Sequence, residues 1–497
     1  MPLRRRGGDP VKPGMTVLAR YSMGPAALAG AAIVASSPQT VLNGGIPATY
    51  AVTGAAGVPL SFLVIMSVMA VLAVPYVAVG RHVPHGAPFY AQLARGGNPT
   101  WGLIGAAVTF IGYSALQASL YPLLGATVAE LVGAGAWWMW AIVAWLIVLL
   151  LGQYPGAVGA RVLGVLLALE IAVVLLFILA GFTHPAPGTG SAAGAGLAFA
   201  PSSLIVAGAT STLLVYAAAA FAGTETALAY AEEATSHRAM AIGSAVAIGG
   251  GGLLYCVASW AYGAWIGFAD VQNARQPLAL LGEVYGSGIA ELSTVLLVTS
   301  ILAAQSSFGA AIARNVFALA REGVLPASWQ KVSPGAKGGA PLGGTAVQAA
   351  TSAVVLTTMA LAGADPMATI FPWLSTIGAV CVLALLTATS WSAFTFFEKG
   401  LGGSENILVR RVCPVAGGTF GVLALFFMAG SVGTLLGTEP GSALPWLVSG
   451  VVGGGGVTAM LVGVHLRRTR PDVYRGIGRG IPDSRTVLDP ALEDIEV

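Results

Sequence analysis

The sequence predicts an all-α membrane protein with twelve transmembrane helices, and three observations carry that expectation. Lys, Arg, Asp and Glu make up 9% of the 497 residues while apolar residues make up 56%, and the mean hydropathy is +0.81. A soluble domain carries about 25% charged residues, so a fully solvated surface cannot be assembled here. Twelve apolar stretches lie near or above the roughly 20 residues that cross a bilayer as a helix. Taken as twelve spans, they place every one of the 23 Lys and Arg residues except Arg275 on the side shared by both termini. Basic residues collect in cytoplasmic loops, so both termini are expected to be cytoplasmic. A missed span in the middle would invert every later loop and destroy this asymmetry.

In chain order, residues 1–23 are basic, polar and Pro/Gly-containing, unlike a signal peptide, and are expected to remain as a cytoplasmic segment. The spans follow at 24–53, 58–80, 101–124, 137–153, 158–182, 204–231, 239–266, 289–320, 344–363, 367–397, 412–436 and 443–466, the fourth being short. Each is continuously apolar and rich in Leu and Ala, whereas strands of a membrane barrel alternate polar and apolar residues over about ten positions. Residues 467–497 mix charges with Pro471, Pro482 and Pro490 and read as a solvated cytoplasmic tail. The 68 glycines suit close packing between membrane helices. The runs 249–252 and 453–456 are read as helix contacts, because they lack the Lys-Ser/Thr ending of a phosphate loop. Cys256, Cys381 and Cys413 have neither metal-ligand nor disulfide spacing and are expected to be reduced packing residues. No metal site, cofactor or nucleic-acid partner is implied; the bilayer itself is the expected surroundings.

Lipid offers no water to backbone groups, so a span containing helix breakers must line a cavity or pack against protein. Two spans break in this way. The first meets Ser36-Ser37-Pro38-Gln39-Thr40 and then Asn43-Gly44-Gly45, and the sixth meets Phe221-Ala222-Gly223-Thr224-Glu225. They lie five spans apart, and interrupted segments at matching positions of two halves mark transporters built from inverted repeats, with substrate held at the midplane by unwound backbone. Buried ionisable groups are costly and mark pathways. Glu170, well inside the fifth span, and Glu225, at the second break, are the two acids deep in apolar sequence. Each also admits a local role, Glu170 as a neutral acid bonded to a hydroxyl and Glu225 as a cap for freed amides. Tyr113, Ser114 and Gln117 in span three, Gln305, Ser306 and Ser307 in span eight, and Thr376 in span ten are further polar groups, of a kind that more often bridges helices.

Three segments bring a family into view. Residues 221–234 read F-x-G-x-E and then Glu232-Glu233-Ala234, and residues 313–326 contain Ala313-Arg314 and Arg321-Glu322-Gly323 before Pro326, followed by Ala340-Pro341. The third is Pro84 to Tyr90 with Arg95-Gly96-Gly97. The chain resembles the amino acid, polyamine and organocation permease superfamily over roughly residues 20 to 466. That resemblance implies a five-plus-five inverted repeat of LeuT type with two extra C-terminal helices. The repeats would occupy about 24–182 and 204–397 within a transport core of 24–397, spans eleven and twelve would fill 398–466, and the third segment would be a re-entrant loop after span two. It further implies a secondary transporter, working by alternating access, for an amino acid or related amine. The substrate would be held by Ser36, Ser37, Pro38, Gln39, Thr40, Tyr113, Gln117, Phe221, Ala222, Gly223 and Thr224, and Glu225 would act as a gate or titrating group. Amino acid carriers of the family present a glycine-rich break in span one to the substrate carboxylate; here Ser36 to Thr40 stand instead, which keeps amines and polyamines in view. Aligning Ala160-Arg161-Val162 with the start of the family's fifth span sets Glu170 on the lysine position of proton-coupled members.

The leading expectation is therefore a proton-coupled or exchanging permease in the cell membrane. A sodium-coupled carrier is the alternative within transport, with Ser306 and Ser307 as oxygen donors of a kind hard cations prefer. A membrane ligand sensor would be expected to carry an attached signalling domain, and the termini are short for one. An enzyme would need a converging nucleophile and base or metal ligands, which the motifs do not provide.

Overall fold

The computed structural model describes residues 23–154, 160–189, 192–231, 234–273, 275–333, 339–403, 405–438, 442–443 and 445–480. The basic segment before Met23, Glu232-Glu233, Lys337, the Arg161 side chain and the tail beyond Gly480 lie outside that description. Among the described residues regular structure is helical, apart from one isolated parallel bridge between Met23 and Ala234. Eleven helices are long and apolar enough to cross a membrane. Spans one and two are Pro25–Thr53 and Val58–His82, and span three is Pro99–Val132. Spans five to eight are Ala160–Thr183, Thr210–Tyr230, His237–Ile266 and Ser287–Arg321. Spans nine to twelve are Leu342–Leu361, Pro366–Glu398, Leu408–Leu435 and Pro445–Thr469. The expected fourth span is the exception. Trp137–Leu151 has 15 residues, which at 1.5 Å per residue reach about 22 Å, less than the roughly 30 Å hydrocarbon core.

Helix starts follow local chemistry. Asn98 accepts hydrogen bonds from the Thr100 and Trp101 amides at 3.0 and 3.2 Å, with Pro99 as the first helical residue of span three. Ser236 caps span seven through the Ala239 amide at 3.1 Å. The segment expected as a re-entrant loop is the helix Pro88–Gly96, buried along nearly its whole length. Its C-terminal carbonyls are taken by the end of span ten: Thr395 Oγ1 donates to Gly96 O at 2.8 Å, and Lys399 Nζ donates to Gly96 O and Gly97 O at 2.9 and 3.1 Å.

Small residues set how closely the spans approach. A Cβ on Gly112 of span three would stand 2.5 Å from the Cys381 Cβ of span ten, and one on Gly378 would stand 2.6 Å from Leu116 Cδ2. These two helices therefore meet backbone to backbone, as small residues permit in membranes. The glycine runs divide. Gly252 packs on Met66, Gly455 on Ile111 and Gly456 on Ile104, whereas Gly249, Gly250, Gly453 and Gly454 face open space, so only part of each run is a helix contact. Cys256 and Cys381 are buried and all three cysteines are free.

At the membrane-side end of the tail, residues after span twelve fold back onto helix 88–96. Glu322, one residue past span eight, accepts four hydrogen bonds: from His85 Nε2 at 2.9 Å, Tyr90 OH at 2.5 Å, Gly478 N at 2.8 Å and Gly480 N at 2.9 Å. The Ala87 amide donates to His85 Nδ1 at 3.0 Å, which leaves the proton on Nε2, facing the carboxylate. Burial alone would push the Glu322 carboxyl up, but the His85, Tyr90 and Gly478 hydrogen bonds outweigh it and hold the group below the usual carboxylate range. A depressed carboxyl contributes stability that is present above its unfolded pKa of about 4.3 and is lost as pH falls through the lower folded value. Glu322→Ala should therefore cost about 2 to 3 kcal/mol at pH 7, since it strands buried donors. Thermal unfolding should register this, together with faster tryptic cleavage at Arg475 and Arg479. Unchanged cleavage at both sites would show that the tail docks without Glu322.

Candidate substrate and coupling site

Span one breaks at a single residue. The helix ends at Ser36, and Ser37 adopts φ 49°, ψ 79°, the one positive φ outside glycine among the described residues. Its amide is shared between Ile33 O and Val34 O, each at 3.1 Å. Pro38, with no amide to satisfy, restarts the helix. The glycine pair belongs to a widened turn, Val41–Gly45, where Asn43 Nδ2 donates to Gln39 O at 2.8 Å and to Gln39 Oε1 at 3.0 Å. The break thus falls at Ser37, not at Gly44-Gly45.

Span six breaks at Gly223, whose φ of 105° suits glycine, and continues as a tighter helix over Thr224–Tyr230. Side chains occupy the freed backbone groups. Glu225 Oε2 accepts from Gly223 N at 2.9 Å, Thr226 Oγ1 donates to Gly223 O at 2.6 Å, and Thr224 Oγ1 donates to Phe221 O at 2.8 Å. The two breaks touch, because a Cβ on Gly223 would stand 2.8 Å from the Ala35 carbonyl carbon. Phe221 is fully buried and packs edge-on against Tyr255 of span seven with centroids 6.0 Å apart. Ser36 Oγ donates its proton to Ile33 O, so the 2.9 Å contact with Tyr255 OH has the phenol as donor. Ala222 is buried beside these groups.

Glu170, 1% exposed, ends a line of hydroxyls. Ser300 of span eight donates to Glu170 Oε2 at 2.7 Å, Ser37 lies 3.0 Å from Ser300, and Thr40 lies 2.7 Å from Ser37. Gln39 Nε2 also reaches Glu170 O at 3.3 Å. Since the Ser300 proton points at the carboxylate, Ser37 must donate to Ser300 and Thr40 to Ser37. A proton on Glu170 Oε2 would reverse every donor in the line. Glu225 forms a second polar focus, where its Oε1 and the phenol of Tyr76 in span two are buried without a hydrogen-bond partner.

Other expected residues sit differently. Gln117 is engaged between helices, donating to Gln305 O at 2.9 Å and accepting from Gln348 Nε2 at 2.6 Å and Ser352 Oγ at 3.2 Å. Ser306 bonds its own helix at Leu302 O, 2.8 Å away, and Ser307 is buried with no hydrogen-bond partner. Neither is the hydroxyl on Glu170; Ser300 is. Sequence reading missed Ser300, Tyr255 and Tyr76. A usable signal existed for the first, because Ser293, Ser300 and Ser307 recur every seven residues, or about two turns, and all three are buried. Tyr76 and Tyr255 stand in apolar stretches with no such periodicity.

Comparisons with known proteins bear on the fold and the family. No curated protein matches the chain. Among solved structures, the Eremococcus coleocola manganese transporter in complex with an aromatic bis-isothiourea substituted compound has a TM-score of 0.57 at 12% identity, covering 94% of this chain and 100% of that one. A mutant of the same transporter gives 0.55 at 14% identity, covering 92% and 95%. At such identity the likeness is one of fold. Among the described residues, no three His, Cys, Asp or Glu side chains come together as a metal site. The sequence profile of the amino acid permeases matches residues 26–451. That match takes in both breaks and Glu170 and runs from the second residue of span one past the end of span eleven, and it places the chain in the amino acid permease family, as a multi-span membrane transporter and not an enzyme.

Proposed function

We propose that this permease carries an amino acid or related amine by alternating access, coupled to protons or by exchange, with substrate bound between Ser36–Thr40 and Phe221–Thr224. Both termini are cytoplasmic in this reading, residues 24–182 and 204–397 are the inverted repeats, and 398–466 is an addition to them. The observation that carries it is the line from Glu170 through Ser300 and Ser37 to Thr40. A buried acid joined through Ser300 to the hydroxyls of the span-one break can pass the effect of its protonation to that break by reorienting them. Protonation and the local shape of span one are therefore linked, and a linkage of that kind is what coupling requires. Glu225, capping Gly223, serves as the gate by fixing the shape of the span-six break where it meets Ala35 of span one. The unpartnered hydroxyl of Ser307 favours one second reading, sodium coupling; uptake that collapses when choline replaces sodium would establish it.

Substitutions at three positions test the proposal. Glu170→Gln imitates the permanently protonated acid, so in proteoliposomes it should bind substrate and retain exchange but lose accumulation driven by a pH gradient. Full accumulation in that variant would sink the proton role. Gly223→Val forces a branched side chain into a left-handed conformation at a cost of about 1 to 2 kcal/mol and into the Ala35 backbone. The ligand-induced thermal shift should vanish while the protein stays monodisperse; unchanged affinity would mean that the substrate site lies elsewhere. Glu225→Gln keeps most of the cap and should slow exchange less than Glu225→Ala, and wild-type exchange in both would remove Glu225 from the gate.

A further inference from the structure

Past span twelve the chain is strongly basic. Residues 467–479 hold five arginines, Arg467, Arg468, Arg470, Arg475 and Arg479, against one acid, Asp472. Two contacts lay this stretch along the start of span three: a Cβ on Gly463 would stand 3.1 Å from Thr100 Oγ1, and Tyr474 OH lies 2.9 Å from the same oxygen. A third sets it on the helix Pro88–Gly96, since a Cβ on Gly478 would stand 2.7 Å from the Ala94 Cβ and 3.3 Å from the Ala91 Cα. Arg479 and Arg95 follow the touching residues Gly478 and Ala94 in the chain, so two guanidiniums are brought to one place. Lys399 joins them, because its ammonium sits on the carbonyls of Gly96 and Gly97.

Like charges gathered at one spot call for an anion, and the described residues supply none. The acids described on this face are engaged elsewhere, Glu322 with His85, Glu398 with Arg411, Glu405 with Arg81 and Asp472 with Arg475. Arg95 is half-buried and Arg479 exposed. Burial, and after it the charge of Arg479, lower the pKa of Arg95 from its usual value, the direction expected where two cations meet with no anion between them; the guanidinium stays charged all the same. Depth in the membrane says which anion belongs there. Trp101, in the first turn of span three, is 53% exposed, and a Cβ on Gly97 would stand 3.2 Å from its Cδ1. A tryptophan at the end of a span sits at the level of the lipid headgroups. We propose that Arg95, Arg479 and Lys399 hold the phosphate of an anionic phospholipid, which pins residues 471–480 against the helix Pro88–Gly96. Glu322 fixes the inner side of that turn through the Gly478 and Gly480 amides, and the headgroup fixes its outer side by the charge-assisted hydrogen bonds that arginine makes to phosphate. The inference needs only residence in a bilayer and stands whatever the permease carries.

The test uses the full-length protein, stripped of lipid in a neutral detergent and titrated in mixed micelles with phosphatidylglycerol, phosphatidylcholine or inorganic phosphate. Thermal shift and tryptic cleavage at Arg475 are the readouts. Phosphatidylglycerol should raise the melting temperature and slow the cleavage, and the other two should do neither. A cation close to an anionic lipid surface is worth roughly fivefold in binding, so Arg95→Gln combined with Arg479→Gln should raise the half-saturating phosphatidylglycerol by about tenfold or more. Arg95→Lys combined with Arg479→Lys keeps both charges and should stay within about threefold of wild type. Should the glutamine pair fail to fold, Arg479→Gln alone, at an exposed position, must still raise half-saturation by about threefold or more. Unchanged half-saturation in the glutamine variants, or an equal response to phosphatidylcholine or to inorganic phosphate, would overturn the lipid site. So would a response seen only after residues 481–497 are removed, because Asp483 and the acids after it would then be the partners of the two arginines.

Discussion

Backbone amides and carbonyls inside a bilayer have no solvent to turn to, and the rest of this structure is arranged around the two places where the chain breaks that rule. A helix satisfies its own groups; Ser37 and Gly223 end that economy in mid-membrane. The two breaks differ in how they are stabilised. At Gly223 the neighbouring side chains Thr224, Glu225 and Thr226 close back on the freed groups. At Ser37 the backbone amide still reaches Ile33 and Val34, proline removes the next donor, and it is the side chains that project outward toward spans five, seven and eight. One break is sealed locally, while the other is wired to the scaffold.

That asymmetry gives the two buried acids different work despite their similar isolation. Glu225 is bound to the element on which it sits, so its first effect is on the shape of span six. Glu170 belongs to span five and reaches span one through a hydroxyl of span eight, so its effect crosses three helices. A single methyl in place of the Ser300 hydroxyl would cut that line and leave every backbone bond intact. Direct contact between Gly223 and Ala35 then makes any displacement at one break felt at the other.

Much of this was legible in the sequence where physics acts locally. Membrane residence, eleven long apolar helices and both interrupted helices follow from hydropathy and helix breakers, which act within one segment. The capping role open to Glu225 is likewise a two-residue matter, and the cap is present. What sequence left unread depends on rotation of one helix against another. Nothing in the string 295–310 says whether Ser300, Ser306 or Ser307 meets span five; only the seven-residue recurrence of Ser293, Ser300 and Ser307 hints at the face. Gln117 was expected at the substrate because it is polar and mid-span, yet it bridges spans eight and nine, and both roles leave the same sequence trace. The glycine runs show the limit equally well, since adjacent glycines of one run point to different neighbours.

The docked tail and the buried hydroxyl line obey the same constraint from opposite sides of the bilayer boundary. Both acids have buried carboxyls, the Glu322 side chain being 3% exposed and Glu170 as a residue 1%. Glu322 lies just past the end of its span and collects four donors, two of them backbone amides of a glycine-rich turn. These donors favour the charged form of the carboxylate, which suits it to hold structure. Glu170 has a single side-chain donor, Ser300, and that donor can turn round. The number of hydrogen bonds a buried acid receives therefore separates an acid that anchors from one that can exchange its proton. By that measure Glu322 is held charged past the end of its span, while Glu170 beside the break keeps one side-chain donor that is free to turn.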